Sequence, residues 1–545
     1  MRASILLLTV CILTNCKQVE HADLIIKNAK IYSVDNEFHV FESMVVKDGR
    51  ILAIGMESEI QERFASEIIL DLDGKPVYPG FIDPHCHFYG YGTTLQQVDL
   101  VGTESFEEIL LRVKKFSDTI PHGQWILGRG WDQNDWDEPV FPDNSILNEL
   151  FPDNPVYLTR IDGHAALVNQ KALDIAGVDI QTTIEGGNIL RKNGTLTGIL
   201  VDNAMTLIDK HIPRGRGGNI KKSLIDAQEK CFEVGLTSVH DAGLDYKVLE
   251  TIDDLNKNGS LKMRIYAMLS PTRENIEGYM EKGVYKTPYL HISSLKLYAD
   301  GALGSRGARL IEPYSDDPDN YGLFVSPVAW LKEMCELADS LGYQVCTHCI
   351  GDGANRKMLN IYSSILEKDN DKRWRIEHAQ IIHPDDFQIF KEYKIIPSVQ
   401  TTHATSDMYW ADERLGGRLK NAYAYKRLME QNGWIPNGSD FPVEHINPLF
   451  GFFAGTARKD HEGYPENGFM KDQALNREQA LRAMTIWAAK AGFEENEKGS
   501  LEKGKYADFV VLDRDIMEVP EMEILQSRVL RTFLNGEEVY KNSKE

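Results

Sequence analysis

The sequence predicts an α/β fold, a (β/α)8 TIM barrel with a small β-sandwich domain formed by both termini. In the central part of the chain, short apolar strands alternate with amphipathic helical stretches, which is the pattern of βα units and a parallel sheet. At both ends, short strands separated by polar turns replace this alternation, and neither end has enough strands for a core of its own. The 545 residues suffice for one large barrel and a smaller domain.

Eight central segments are strand candidates: Phe81–His87, Val156–Arg160, Thr237–His240, Leu295–Asp300, Gln344–His348, Arg375–His378, Ile395–Gln400 and Pro436–Asp440. Helices are predicted between many of them and at the end, for example over Lys222–Val234, Ala329–Leu341, Arg356–Leu366 and Arg477–Gly492. We therefore expect the barrel over residues 81–494 and the sandwich over residues 22–80 plus 495–545. The segment near 88–233 is too long for simple βα units, so we expect a lid insertion there.

Charge and composition exclude one class of partner. The formal net charge is −22, and no basic run of useful length interrupts the acidic balance. Nucleic-acid binders usually present a basic face, so the expected partner is a small molecule. The sequence leaves a homo-oligomer open.

The first sixteen residues differ from the rest. Arg2 precedes an apolar run over Ser4–Leu13, which is too short to span a bilayer and is typical of a signal-peptide core. The run ends in Leu13-Thr14-Asn15-Cys16, which resembles a bacterial lipobox. This predicts that residues 1–15 are removed, that Cys16 is lipidated, and that the exported protein is held in the bacterial cell envelope by lipid alone. The alternative is a plain secretory signal cut nearby.

Five cysteines remain beyond Cys16, an odd count that makes a poor disulfide framework. Cys346 and Cys349 have C-x-x-C spacing, so a redox or zinc role has to be weighed. On a strand their side chains would face opposite ways, which favours buried, unpaired thiols.

His85 and His87 stand two residues apart at the end of a predicted strand, so both side chains point to one face. Two neutral imidazoles on one face are good ligands for a divalent transition metal. The apolar strand and the Pro79-Gly80 turn before them favour a metal site over two ordinary polar histidines.

Lys296 lies in Leu295–Asp300, where polar and apolar side chains alternate. In a barrel the apolar face covers the helices, so Lys296 points into the closed interior. A lone buried ammonium is unfavourable. We therefore expect either a salt bridge to a carboxylate or a carboxylated lysine, a carbamate held by two metal ions.

Three further ligand-type side chains end predicted strands: His348, His378 and Asp440. Together with the preceding three, they lie at the C-terminal ends of five different candidate strands, where barrel active sites assemble. The expected cofactor is a divalent metal, Zn2+, as one or two ions.

The order H-x-H, Lys, His, His, Asp on successive strands resembles the amidohydrolase superfamily, and within it amidohydrolase family 3, which includes N-substituted formamide deformylases. The resemblance covers nearly everything after the N-terminal segment. The stretches that carry it are Pro79–His87, Gly128–Asp132, Leu158–His164, Lys296–Gly301, His348–Asp352, Glu377-His378, Gly438–Asp440 and Gly499–Asp508.

This resemblance implies a hydrolase that cleaves a C–N bond other than a peptide bond in a small amide-like molecule. It implies that metal-activated water attacks the substrate. Asp440 would touch the metal and act as general base, and Lys296, if carboxylated, would bridge two ions. The remaining implied metal ligands are a more buried pair, His85 and His87, and a more exposed pair, His348 and His378.

Other residues are candidates for substrate contacts: Trp131, Asp132, Arg160, His164, Arg306 and His403. The first four match family-like segments of the insertion, and their alternative role is packing of an irregular lid. Arg306 could instead be a solvated loop arginine, and His403 a merely polar side chain near the mouth.

Two other functions compete. Heterocycle deaminases on the same barrel usually carry a glutamate three residues after the fifth-strand histidine, where this chain has Gly351. A lipid-anchored binding protein without catalysis would be expected to have lost ligands, and none is lost here.

Overall fold

The computed structural model describes residues 19–118, 120–212 and 220–543. The predicted signal peptide, residues 1–15, and Cys16 lie outside these residues. The predicted fold class is confirmed, because eight parallel strands form a nearly closed barrel beside a separate β domain. In order around the barrel, the strands are Phe81–Cys86, Leu236–Leu244, Arg264–Leu269, Leu290–Tyr298, Gln344–Cys349, Arg375–His378, Ile396–Gln400 and Asn437–Gly438.

The structure differs from the sequence-based prediction at two barrel strands. Val156–Arg160 is a strand, but it belongs to the insertion and not to the barrel. The third barrel strand is Arg264–Leu269, which was missed. Both segments are buried along almost their whole length, so hydrophobic periodicity could not tell one sheet from the other.

The first and last barrel strands meet at the site end. The Asp440 backbone N–H donates to the His85 carbonyl at 2.8 Å. The Ser439 hydroxyl donates to the buried Asp83 carboxylate at 2.6 Å. A side chain at Gly438 would lie 2.8 Å from the backbone of His85, so only glycine permits this close approach.

Helices cover the barrel from outside: Ile220–Glu233, Tyr246–Lys257, Arg273–Gly278, Val328–Ser340, Asp352–Ile365, Phe387–Glu392, Tyr425–Asn432 and Pro448–Ala457. Shorter helices Thr401–Asp407 and Ala411–Leu415 follow the seventh strand. The single helix predicted over Arg477–Gly492 is instead two, Arg477–Ala483 and Ile486–Ala491, because the backbone of Thr485 leaves the helical region with φ −138° and ψ −100°.

The insertion after the first barrel strand holds its own six-stranded sheet. Its strands, in sheet order, are Val98–Asp99, Ile126–Trp131, Val156–Arg160, Ala165–Val168, Thr195–Asp202 and Gly187–Lys192. Helices of this region are Phe88–Thr94, Phe106–Ser117, Ser145–Leu150, Gln170–Ala176 and Thr206–Asp209. The sheet packs its own apolar core on both faces and presents one edge of polar loops to the barrel mouth.

Strands from both termini build the second domain. One sheet contains Leu24–Lys27, Ser43–Lys47, Arg50–Gly55 and Ile69–Asp71. The other joins N-terminal strands Lys30–Tyr32, Val40–Phe41 and Pro76–Pro79 to C-terminal strands Phe509–Leu512, Val529–Leu534 and Glu537–Lys541. The short helix Glu57–Arg63 and the strand pair Glu20–His21 and Phe64–Ala65 complete the domain. Its core draws on both ends, for example Met44, Val77 and Phe509.

Among the described residues, all five cysteines are buried and none forms a disulfide, as expected. Within the same part of the chain, we find no helix with the length and apolar character needed to cross a bilayer.

Candidate metal centre and substrate cavity

A cavity of about 640 Å³ opens at the C-terminal ends of the barrel strands. One wall comes from the barrel and includes His348, His378 and Asp440. The opposite wall comes from the insertion and includes Arg129 and Arg160. This is the end at which residues of different strands can converge on one substrate.

His85, His87 and Asp440 form a cluster whose ligand atoms lie within 4.8 Å of one another, and Asp440 connects this cluster to the cavity wall. Oδ1 of Asp440 is 3.4 Å from Nε2 of His85 and 3.3 Å from Nε2 of His87. That oxygen is buried and has no hydrogen-bond partner in the described chain. Buried carboxylate oxygens are rarely left unpaired, so this arrangement is unfavourable unless a cation occupies the space between the three groups.

The opposite nitrogens of three rings are already bonded. Nδ1 of His85 is 2.5 Å from Oε2 of Glu377, Nδ1 of His87 is 3.0 Å from the carbonyl of Ala242, and Nδ1 of His378 is 2.7 Å from Oε1 of Gln400. A histidine that donates through Nδ1 keeps an unprotonated Nε2 for a metal. The three rings are therefore prepared as ligands.

Lys296 is fully buried beside this cluster, and its Nζ lies 3.1 Å from Nε2 of His85. Burial lowers the pKa of Lys296, against the raising effect of the Glu377 and Asp440 charges. Neither carboxylate forms a direct ion pair with Lys296 within the described residues. The expected simple salt bridge is thus absent there.

His348 and His378 extend the cluster upward. Their ring centroids are 4.5 Å apart, and the ring of His378 is 4.9 Å from that of His85. Burial lowers the pKa of both His348 and His378 well below the usual range. Both rings are therefore neutral, the form in which imidazole binds a metal.

The backbone is strained at two of these positions. His378 has φ +70° and Asp440 has φ +62°, in the left-handed region that side chains other than glycine seldom adopt. Such conformations persist where the surrounding structure fixes them, often at functional sites. Here they turn each side chain from the end of its strand into the cavity.

Asp440 remains an anion despite its burial. Burial would raise its pKa, but the neighbouring His85 and His87 hold the pKa of Asp440 well below the usual range. Two imidazoles and an ionised carboxylate, one of whose buried oxygens has no hydrogen-bond partner in the described chain, form a donor set that fits a divalent transition metal.

Glu377 and Gln400 support the cluster and were not assigned a role from the sequence. Glu377 is fully buried and also pairs with Nε of Arg375 at 2.6 Å. The alternation Arg375-Ile376-Glu377 on a barrel strand already placed both charges on the interior face. The pairing of Gln400 with His378 across strands has no comparable signal in the sequence.

The structure brings four of the six candidate substrate residues to the cavity wall: Asp132, Arg160, His164 and His403. Arg160 is buried between Asp132, with which it is in direct contact, and Asp162 at 2.6 Å. The ring of His164 lies 5.1 Å from that of His348. His403 stacks on His378 at 5.8 Å, and burial lowers the pKa of His403 to about 4.

Two candidates do not line the described cavity. Trp131 is fully buried in the core of the insertion, where its indole N–H donates to the Leu158 carbonyl at 2.8 Å. Its role as a lid-packing residue therefore replaces the predicted contact. Arg306 pairs with Asp316 at 2.8 Å in its loop, which agrees with its alternative reading as a loop arginine.

Comparison with known proteins agrees with this geometry. Residues 69–540 match the model of a family described as the amidohydrolase family. The chain is 33% identical to the protein LONG AFTER FAR-RED 3 of Arabidopsis thaliana, over 95% of this chain and 92% of that protein. It is 27% identical to an N-substituted formamide deformylase of Arthrobacter pascens, over 94% and 97%.

A solved structure resembles the whole fold. It is an uncharacterized metal-dependent hydrolase from Pyrococcus horikoshii, 30% identical in sequence, with a TM-score of 0.74 over 91% of this chain and 99% of that one. The predicted resemblance to amidohydrolase family 3 is thereby confirmed.

Proposed function

This chain belongs to the amidohydrolase family, and we propose that it is a metal-dependent hydrolase that cleaves the C–N bond of a small amide-like molecule. The observation that carries the proposal is the orphaned Oδ1 of Asp440, buried between Nε2 of His85 and Nε2 of His87. A buried carboxylate oxygen without a hydrogen-bond donor is unfavourable, and a metal cation between the three groups would compensate its charge.

His85, His87 and Asp440 would hold one metal ion, and His348 with His378 would supply ligands for a second. Zinc is the metal best suited to these ligands. When bound, it would polarise a scissile carbonyl and lower the pKa of water. Asp440 would accept the proton of the attacking water and pass it to the leaving nitrogen. His164 lies on the insertion wall, next to the barrel residue His348, and would contact the substrate.

Lys296 is proposed to be carboxylated. It is buried, close to His85, and without a direct carboxylate partner in the described chain. A carbamate on Nζ would replace an amine that lacks a carboxylate partner in the described chain by an anion with two oxygen ligands. Such an anion suits a site that also contains imidazole ligands.

The structure disfavours the deaminase alternative. At Gly351, a Cβ would lie 2.0 Å from the carbonyl oxygen of Arg309, so no glutamate fits there. The next residue, Asp352, accepts from the Ile311 N–H at 2.9 Å and belongs to the loop packing.

The test combines metal analysis with hydrolysis assays on N-formyl, N-acyl and cyclic amides. We expect bound zinc, activity that is lost with a chelator and activity that returns with zinc. His87→Ala should lose metal and activity. His122→Ala is the matched control, because its side chain is 90% exposed and does not line the cavity. Activity that survives complete metal removal would refute the proposal.

We further propose that Cys16 carries lipid and holds the exported protein in the bacterial cell envelope. Only the lipobox-like Leu13–Cys16 stretch supports this. Mass spectrometry of the mature N-terminus tests it, and an unlipidated N-terminus at another residue contradicts it.

A further inference from the structure

Arg129, on the insertion strand Ile126–Trp131, lines the cavity opposite the metal centre. Its Nη2 donates to the carbonyl of Ile161 at 2.7 Å. Its Nε is buried without a hydrogen-bond partner in the part of the chain that the structure describes. A guanidinium offers five N–H donors in a planar fork, and among the described residues only the Ile161 carbonyl accepts a hydrogen bond from Arg129.

The nearby carboxylates are already used. Asp162 binds Arg160 through Oδ2 at 2.6 Å and accepts the His164 N–H through Oδ1 at 2.9 Å. Asp132 also pairs with Arg160. Asp99, on the neighbouring strand, accepts the Val101 N–H at 3.0 Å. Across residues 19–118, 120–212 and 220–543, none of the ion pairs involves Arg129.

The charges of Asp162 and Asp440 attract Arg129 without forming an ion pair with it among the described residues. Two further carboxyl groups of the cavity have raised pKa values. Burial raises the pKa of Asp407 well above its usual range and the pKa of Glu444 to about 7. Both are poor anions near neutral pH, and they lie on the opposite wall with the barrel loops.

The guanidinium of Arg129 is also held in place at Nη2, and glycine at position 163 leaves space beside its Nη1. The Ile161 N–H donates to the Trp131 carbonyl at 2.9 Å, which fixes the acceptor that Arg129 uses. Gly163 follows with φ +74°, and a Cβ there would lie 3.4 Å from Nη1 of Arg129. A larger residue would cover the guanidinium on the side that glycine leaves open.

We infer that Arg129 binds a carboxylate on the substrate, so that the substrates are small amides that carry one carboxylate group. This inference rests on the proposed hydrolase function. A single guanidinium matches a monoanion, whereas a phosphate dianion would require further cations. Leu303, Trp410 and Ile446 provide apolar lining for the rest of the molecule.

The experiment uses metal-loaded enzyme and two matched pairs of compounds. N-acetylleucine and neutral N-acetylleucinol place the charge on the amine side, and succinanilic acid and neutral butyranilide place it on the acyl side. We expect the wild type to prefer the acid of at least one pair in kcat/KM. Arg129→Gln should lower that acid's kcat/KM about 10- to 100-fold, as expected for a lost charged hydrogen bond, and leave its neutral partner unchanged.

Arg129→Lys tests geometry, because it keeps the charge but loses the fork, and we expect an intermediate loss. Arg273→Gln is the control, since this arginine is 88% exposed and pairs with Glu277 on a surface helix. Calorimetric binding of the two acids and of inorganic phosphate gives a readout that does not require turnover.

The outcomes separate the two proposals. Hydrolysis of the amides with no difference between acid and neutral partner, or with equal losses in Arg129→Gln, overturns the carboxylate inference and leaves the hydrolase intact. Binding of the acids that weakens in Arg129→Gln, without hydrolysis of any amide, supports the subsite and counts against the hydrolase. Tighter binding of phosphate than of either acid, or no Arg129-dependent binding, overturns the inference.

Discussion

The barrel wall and the insertion wall of the cavity are both rich in buried charge, but they satisfy it differently. On the insertion wall, Arg160 lies between Asp132 and Asp162, and the three charges form a closed group. On the barrel wall, Asp440 keeps an unpaired oxygen and Lys296 lacks a direct carboxylate partner among the described residues. Since unpaired buried charge is destabilising, its retention at Asp440 and Lys296 on the barrel wall, and at Arg129 on the insertion wall, indicates where a ligand completes the structure.

This difference separates two kinds of mutational effect. Changes on the barrel wall should alter metal binding or turnover with little effect on folding. Changes in the closed group of the insertion should lower stability before they alter chemistry.

Asp440→Asn should give the largest effect on turnover. The amide keeps the shape and can still approach the two histidines, but it cannot take a proton from water. We expect kcat to fall about 10²- to 10⁴-fold, the usual contribution of a general base, with most of the metal retained. Kinetics beside elemental analysis measure this. Asp385→Asn is the control, because its side chain is 83% exposed, and full activity in Asp440→Asn would overturn the assignment.

Lys296→Ala should lower metal content and rate together, because it removes the group proposed to bridge two ions. Short carboxylates such as acetate should restore part of the activity by entering the space vacated beside His85. Lys332→Ala, on a surface helix with its side chain 53% exposed, should change neither quantity. Undiminished activity in Lys296→Ala would refute a bridging role. One metal per chain with an unmodified Lys296 would leave a mononuclear hydrolase, with Lys296 as a pocket cation.

The positions of the barrel-wall residues could be predicted because strand periodicity carries direct information about which side chains face inward. His85, His87, Lys296, His348 and His378 all lie on or at the end of a predicted strand, and alternation fixes which side chains face inward. The structure brings these residues together as that argument requires.

The insertion was less predictable for a physical reason. Its strands bury both faces, so the burial pattern of Val156–Arg160 is also that of a barrel strand. Trp131 is a substrate candidate only through its family-like stretch, and it packs in the core of the insertion. The pairing of Arg160 with Asp132 and Asp162 depends on a turn between strands, and hydrophobic patterning does not encode which charges meet there.

Arg160→Met tests the closed group. The substitution keeps much of the apolar volume but leaves Asp132 and Asp162 buried without their cation. Breaking a buried pair in this way typically lowers the free energy of unfolding by about 3–5 kcal/mol. We expect a loss of this order in denaturant unfolding, while kcat at low temperature changes less than about tenfold. A stable variant with a large loss of kcat would show that Arg160 takes part in catalysis, and the proposed difference between the two walls would then be wrong.

Glu444→Gln should have the smallest effect, a change in the pH dependence of the Tm. It compares two carboxyl groups of the barrel wall, Glu444 and Asp440. Glu444 accepts from the Ser406 hydroxyl at 2.7 Å and has no cation partner within the described residues. Burial raises its pKa from 4.5 to about 7, so unlike Asp440 it holds its proton at pH values below about 7. Below about pH 4.5 both folded and unfolded chains hold this proton, and Glu444 contributes no pH dependence.

Between pH 4.5 and about 7 the unfolded chain releases the proton while the folded chain retains it, so wild-type stability falls as the pH rises and then levels off. Glutamine does not titrate. The Tm of Glu444→Gln relative to wild type should therefore increase by about 1–3 °C from pH 5 to pH 8, measured by scanning calorimetry with metal present. A constant difference would mean that Glu444 is ionised in the folded protein, and the barrel wall would then hold a second unpaired anion beside Asp440.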